Sequence, residues 1–76
     1  EMARAKSMTE RQMQVLLLLM RGQSNKEIAL QLHLAEITVK THIAALMRAF
    51  GASNRTQVVI EAQRQGALPV TELAEQ

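Results

Sequence analysis

The chain has 76 residues, enough for one small domain with a modest core. It contains no cysteine, which excludes a disulfide framework and a cysteine-based zinc finger. The net charge is only +2, but between Thr9 and Thr56 six basic residues (Arg11, Arg21, Lys26, Lys40, Arg48, Arg55) stand against three acids (Glu10, Glu27, Glu36), while Glu61, Glu72 and Glu75 lie outside, a distribution that suits a nucleic-acid partner.

The longest apolar run, Val15 to Met20, is about a third of the roughly 20 residues that cross a bilayer. The sequence shows no secretory leader pattern, so no membrane partner and a cytoplasmic location are expected. Residues 1–7 lack periodicity and read as a linker or arm. Residues 8–66 carry the helical patterns, and 67–76, broken by Pro69, read as a tail.

The first helix opens at Thr9, with Gln12 placed to close a capping box, and runs to about Arg21 before Gly22. Its core face is Val15, Leu16 and Leu19. Leu17 points elsewhere, between Met13 and Met20. These three are edge fillers on one reading and a docking patch on another.

Ser24-Asn25-Lys26-Glu27 is a full S-x-x-E capping box that opens a second helix. Its free N–H groups, with Lys26, make a ready phosphate site. Ile28, Ala29 and Leu32 share one face. His33-Leu34-Ala35 follows as a turn, and a third helix spans 36–50. This is the helix-turn-helix plan, whose second helix enters the major groove of DNA. Ala29 is small where the two helices must touch, and Val39 can pack on it.

His33 occupies a turn position that favours a left-handed backbone, which His tolerates better than most residues. Ala35 sits at the cap position and cannot cap, a deficit of about 1 kcal/mol. Thr38 is placed to compensate in part. In the third helix Val39, Ile43, Leu46 and Phe50 form the buried stripe. Ile37, Thr41, Ala44 and Arg48 lie opposite, with Lys40 on the shoulder. That outward face is small, partly apolar and, apart from Glu36, not acidic, as suits contact with thymine methyls between phosphate walls.

Gly51 stops the third helix. Asn54-Arg55-Thr56-Gln57 starts a fourth, over 55–65, with Asn54 as cap. Val58, Val59 and Ala62 form its core stripe. Thr56, Ile60 and Gln63 form a sparser stripe that suits a twofold contact, although a stray surface isoleucine fits the spacing equally well. The expected fold is all-α, four helices around a central helix-turn-helix. His33 and His42 are nine residues apart and surrounded by no ligand cluster. No catalytic triad order, phosphate-cradling glycine loop or carboxylate pair is present. Neither a metal, a cofactor nor an enzyme is expected.

Met8-Thr9-Glu10-Arg11-Gln12, Val15-Leu16, Gly22, Ser24 to Ala29, Thr38 to His42 and Asn54 to Gln57 together resemble the LuxR-type (GerE-like) helix-turn-helix domain. That domain is the C-terminal half of NarL/FixJ response regulators and quorum-sensing regulators. The resemblance implies a DNA-binding domain that works as a homodimer through its fourth helix, in a protein with an N-terminal receiver or ligand-sensing domain and with RNA polymerase as a further partner. By position it implies that Lys40, Thr41 and Ala44 face bases, joined by Ile37 as a methyl contact. It implies that Ser24, Asn25, Lys26, Thr38 and Arg55 face phosphates, to which the exposed cation Arg48 is added. Thr56, Ile60 and Gln63 match the dimer stripe. The departures are Glu10 for a frequent proline, His33 for the turn glycine, Ala35 for the cap, and Ala44 for a longer polar reader. With Lys40 as the main hydrogen-bonding reader, weak monomer binding and much indirect readout are expected. A sigma-factor-like promoter reader and a protein-interaction module without DNA binding are the competing readings.

Overall fold

A computed structural model describes residues 8–66; the expected arm and tail lie outside the described residues. Four helices follow in order, α1 (Glu10–Met20), α2 (Asn25–Leu32), α3 (Glu36–Phe50) and α4 (Arg55–Arg64), with no strand among the described residues.

Local chemistry sets the helix limits. Thr9 Oγ1 accepts from the Gln12 N–H at 3.1 Å and Gln12 Oε1 accepts from the Thr9 N–H at 3.2 Å. Ser24 and Glu27 close the same reciprocal box at 3.1 and 2.8 Å. At α4 the box is displaced. Asn54 Oδ1 accepts from the Gln57 N–H at 2.9 Å, but Gln57 Oε1 accepts from the Ser53 N–H at 2.7 Å. Asn54 has φ −155°, against −76° at Thr9 and −75° at Ser24, and this rotation about N–Cα aims its own N–H elsewhere. At the end of α1 the N–H groups of Gly22 and Gln23 reach the Leu19 and Leu18 carbonyls at 3.0 and 3.2 Å, which satisfies two last-turn acceptors.

The core forms where α3 packs against the other three helices. Val39, Ile43, Leu46 and Phe50 are all buried, as their spacing predicts, with Ile28, Ala29, Val58 and Ala62 around them. In α1 the structure buries Leu18 together with Val15, Leu16 and Leu19. Leu17, read as pointing away, is half-buried and packs on the core with Met13 and Met20. The reason is that α1 contacts α2, α3 and α4, so its apolar arc is wider than one stripe. This arrangement favours the edge-filler reading of the three residues. Among the described residues the exposed large apolar side chains are Leu30, Ile37 and Ile60, of which Leu30 was not anticipated.

The turn between α2 and α3 has its expected form. His33 is left-handed (φ 59°, ψ 45°), and among the described residues it is the non-glycine with positive φ. The Ala29 carbonyl accepts from both the His33 N–H and the Leu34 N–H, the latter at 2.9 Å. Ala35 starts α3 with no side-chain cap, and Thr38 supplies no substitute through its side chain; its N–H bonds the Ala35 carbonyl at 3.0 Å. Each fully buried side chain of the α3 stripe contributes about 1.5–3 kcal/mol, so packing outweighs the missing cap of about 1 kcal/mol.

Two stability outcomes follow. His33→Gly relieves the left-handed Cβ strain and raises unfolding free energy by about 1 kcal/mol, read by urea denaturation under circular dichroism. A loss instead would show that the imidazole itself supports the turn. Ala35→Ser supplies the absent acceptor and adds about 1 kcal/mol in the same assay. No gain would mean that water already satisfies the first turn of α3 equally well.

Candidate nucleic-acid interface

The outward face of α3 is set by what its inward face buries. With Val39 and Ile43 in the core, Ile37, Lys40, Thr41 and Arg48 are exposed and Ala44 is half-buried. Ile37 is 68% exposed, on a helix whose other face packs the core. Thr41 Oγ1 donates to the Ile37 carbonyl at 3.0 Å. Its hydroxyl proton is thereby used within the helix, and the side chain can offer outward only a methyl and oxygen lone pairs. Ile37, Thr41 and Ala44 therefore make a low-polarity strip, with the Lys40 ammonium beside it. Lys40 has donors only.

Beside this strip lies the start of α2. Ser24 and Lys26 are exposed, Asn25 and Thr38 are half-buried, and the first N–H groups of α2 point the same way as the helix axis begins. One shallow groove is lined by Asn25, Lys40, Ile43, Met47, Asn54 and Arg55. The fold thus brings Lys40, on α3, together with Asn25 and Arg55 from the starts of α2 and α4. Among the described residues Lys26, Lys40 and Arg48 have no ion pair. Arg64, by contrast, pairs with Glu61 at 2.8 Å within α4. His42 is half-buried at the border of the core face, as its spacing suggested. No group of His, Asp or Glu among the described residues could hold a metal. None of the helices is long and apolar enough to cross a membrane.

Arg55, which the family resemblance sets toward a phosphate, has partners within the protein. Its Nη1 donates to Asn25 Oδ1 at 2.6 Å and its Nη2 donates to the Gln23 carbonyl at 2.7 Å. Both bonds are partly buried. Sequence reasoning missed Gln23 altogether, because its contribution is a backbone carbonyl. The Arg55–Asn25 pair spans 30 residues, and nothing local in the sequence announces it.

On α4, Thr56, Ile60 and Gln63 are all exposed, and Ile60 is 47% exposed. Thr56 and Ile60 border a second groove with Leu19, Met20, Val59 and Arg55. The stripe lies on α4, and both it and the α3 face are exposed in a single copy of the chain.

Comparisons with known proteins agree with this arrangement. Residues 6–62 match the family described as bacterial regulatory proteins, luxR family. The response regulator protein VraR of Staphylococcus aureus is 46% identical over 55 residues, 72% of this chain and 26% of that protein. The glycerol metabolism activator of Pseudomonas putida is 41% identical over 56 residues, 74% of this chain and 25% of its own length. The HTH-type transcriptional regulator AlkS of Ectopseudomonas oleovorans is 41% identical over 61 residues, 80% of this chain but 7% of that protein. The chain therefore spans about a quarter or less of these relatives. A solved structure of the transcription factor GerE superposes with a TM-score of 0.73 at 38% identity, covering 80% of this chain and 91% of that one. With four helices, a central helix-turn-helix and this match, the chain belongs to the LuxR family of bacterial regulatory proteins, as a DNA-binding helix-turn-helix domain of a transcription regulator.

Proposed function

We propose that this domain reads DNA with α3 in the major groove, as the effector part of a response regulator, and that two copies pair through α4. The observation that carries the reading is the outward face of α3: an exposed Ile37, a Thr41 whose hydroxyl proton is already used, a small Ala44 and one free Lys40. Such a face has little reason to meet bulk water and suits base edges, with methyl contacts to thymine and a hydrogen bond from Lys40 to guanine acceptors. Ser24, Asn25, Lys26 and Thr38 at the start of the helix-turn-helix, and Arg48 near the end of α3, hold the phosphates on either side. Thr56, Ile60 and Gln63 supply a modest self-complementary surface for a second copy. The response-regulator setting rests on relatives such as VraR, and it implies an N-terminal receiver domain elsewhere in the whole protein, a cytoplasmic location and RNA polymerase as a further partner.

On a duplex selected from random sequence, Lys40→Ala weakens binding by about 1–3 kcal/mol in fluorescence anisotropy and relaxes the preference at one base pair. Lys26→Ala weakens selected and random duplexes alike and lowers the salt slope by about one. Absence of any DNA affinity at low salt would overturn the reading in favour of a protein-interaction module. Ile60→Glu leaves the monomer folded but prevents two copies from binding a paired-half-site duplex cooperatively. Unchanged cooperativity in a gel-shift titration would remove α4 as the dimer contact.

A further inference from the structure

Arg55 occupies a position that neither a phosphate ligand nor a simple helix-start residue requires. It is the first residue of α4, and the next residue, Thr56, begins the exposed stripe assigned above to the dimer. Its guanidinium reaches the other way, to the carbonyl of Gln23 just ahead of the Ser24 cap and to the side chain of Asn25, the first residue of α2. Arg55 also lines both grooves, the one that holds Lys40 and Asn25 and the one that holds Thr56 and Ile60.

A planar fork with two donors on two acceptors fixes orientation as well as distance. The bonds, at 2.6 and 2.7 Å, are short and partly buried, so water competes with them less than at an open surface. The start of α4 has no other polar link of this kind to the start of α2 among the described hydrogen bonds. The core residues Val58 and Ala62 anchor α4 from the end of its first turn onward.

From this geometry, and resting on the α4 dimer proposed above, we infer that Arg55 is a positioning residue that locks the dimer helix to the phosphate-facing start of α2. In the dimer the lock fixes how far apart, and at what angle, the two recognition helices stand. Arg55 thereby determines which half-site spacing the protein accepts, without touching DNA. Asn25 serves as the second half of the lock, oriented by Arg55.

The test uses duplexes carrying two inverted copies of the half-site that the wild type selects from random sequence, at separations stepped by one base pair. Affinity is measured at several salt concentrations for the wild type, Arg55→Lys and Arg55→Gln, each checked by thermal melting to be folded at the assay temperature. The wild type prefers one spacing. Arg55→Lys keeps the charge but cannot make the two divergent bonds, and the preference over the neighbouring spacing falls by roughly ten- to a hundredfold, the factor carried by a lost hydrogen bond to a charged group. Arg55→Gln flattens the profile similarly and leaves the salt slope unchanged. A direct phosphate contact gives the opposite pattern: Arg55→Gln lowers the slope by about one per protomer, Arg55→Lys behaves like the wild type, and the profile stays sharp. That pattern overturns the inference. If Arg55→Gln is unfolded, Arg55→Lys decides the outcome by its spacing profile. A wild type with no preferred spacing overturns the lock and the α4 dimer together, whereas a sharp wild-type profile retained by Arg55→Lys overturns the lock alone.

Discussion

The turn after α2 governs the rest of the domain. A single carbonyl, that of Ala29, accepts two N–H groups, from His33 and Leu34, and the left-handed backbone at His33 is what lets both reach it. That closure ends α2 and turns the chain into Ala35, where α3 begins. The same Ala29 is buried, with Val39 in the core beside it. One residue therefore both ends the first helix of the motif and offers a flat place for the second to rest. The direction of α3, and hence which residues it shows to the outside, follows from this contact.

Once α3 is aimed, packing holds it. Its buried stripe is shared with α1, α2 and α4, so no other element could be removed without exposing part of it. Local signals at its ends are unequal. The C-terminal end has Gly51 in the left-handed conformation that glycine adopts without Cβ strain, and the Ala52 N–H closes on the Met47 carbonyl at 2.9 Å. The N-terminal end has neither a capping side chain nor a glycine before it. The weakest backbone bonding of α3 is thus at the end that carries Ile37 and Lys40, and the most secure is at the end away from it.

Much of this was legible in the sequence, and the parts that were not share a cause. The starts of α1, α2 and α4 and the ends of α1 and α3 follow from Thr9, Ser24, Asn54, Gly22 and Gly51, residues whose effects act within a few positions. The buried face of α3 follows from spacing alone. The resemblance of S-N-K-E-I-A, T-V-K-T-H and N-R-T-Q to the LuxR type gave the fold and the DNA-binding role, and the structure and the family match agree with it. The depth of Leu17 was not legible, and Leu18 went unread, because a wheel drawn for an isolated helix does not say how many neighbours will cover it. Arg55 and Asn25 were each read as facing phosphate from their positions in the LuxR-type motif. Only the three-dimensional arrangement reveals that they meet each other. The roles of individual residues toward DNA stay with the proposal, since those roles depend on a partner surface.

The exposure of Ile37 has a thermal consequence. In the free domain its side chain keeps an ordered shell of water against apolar surface. If α3 enters the groove as proposed, that shell is released, and the association acquires a negative heat-capacity change from a residue that forms no hydrogen bond through its side chain. The binding enthalpy then becomes more favourable with rising temperature while the entropy becomes less so. A regulator built on this face would hold its affinity nearly constant across a range of growth temperatures, because the two changes largely offset each other.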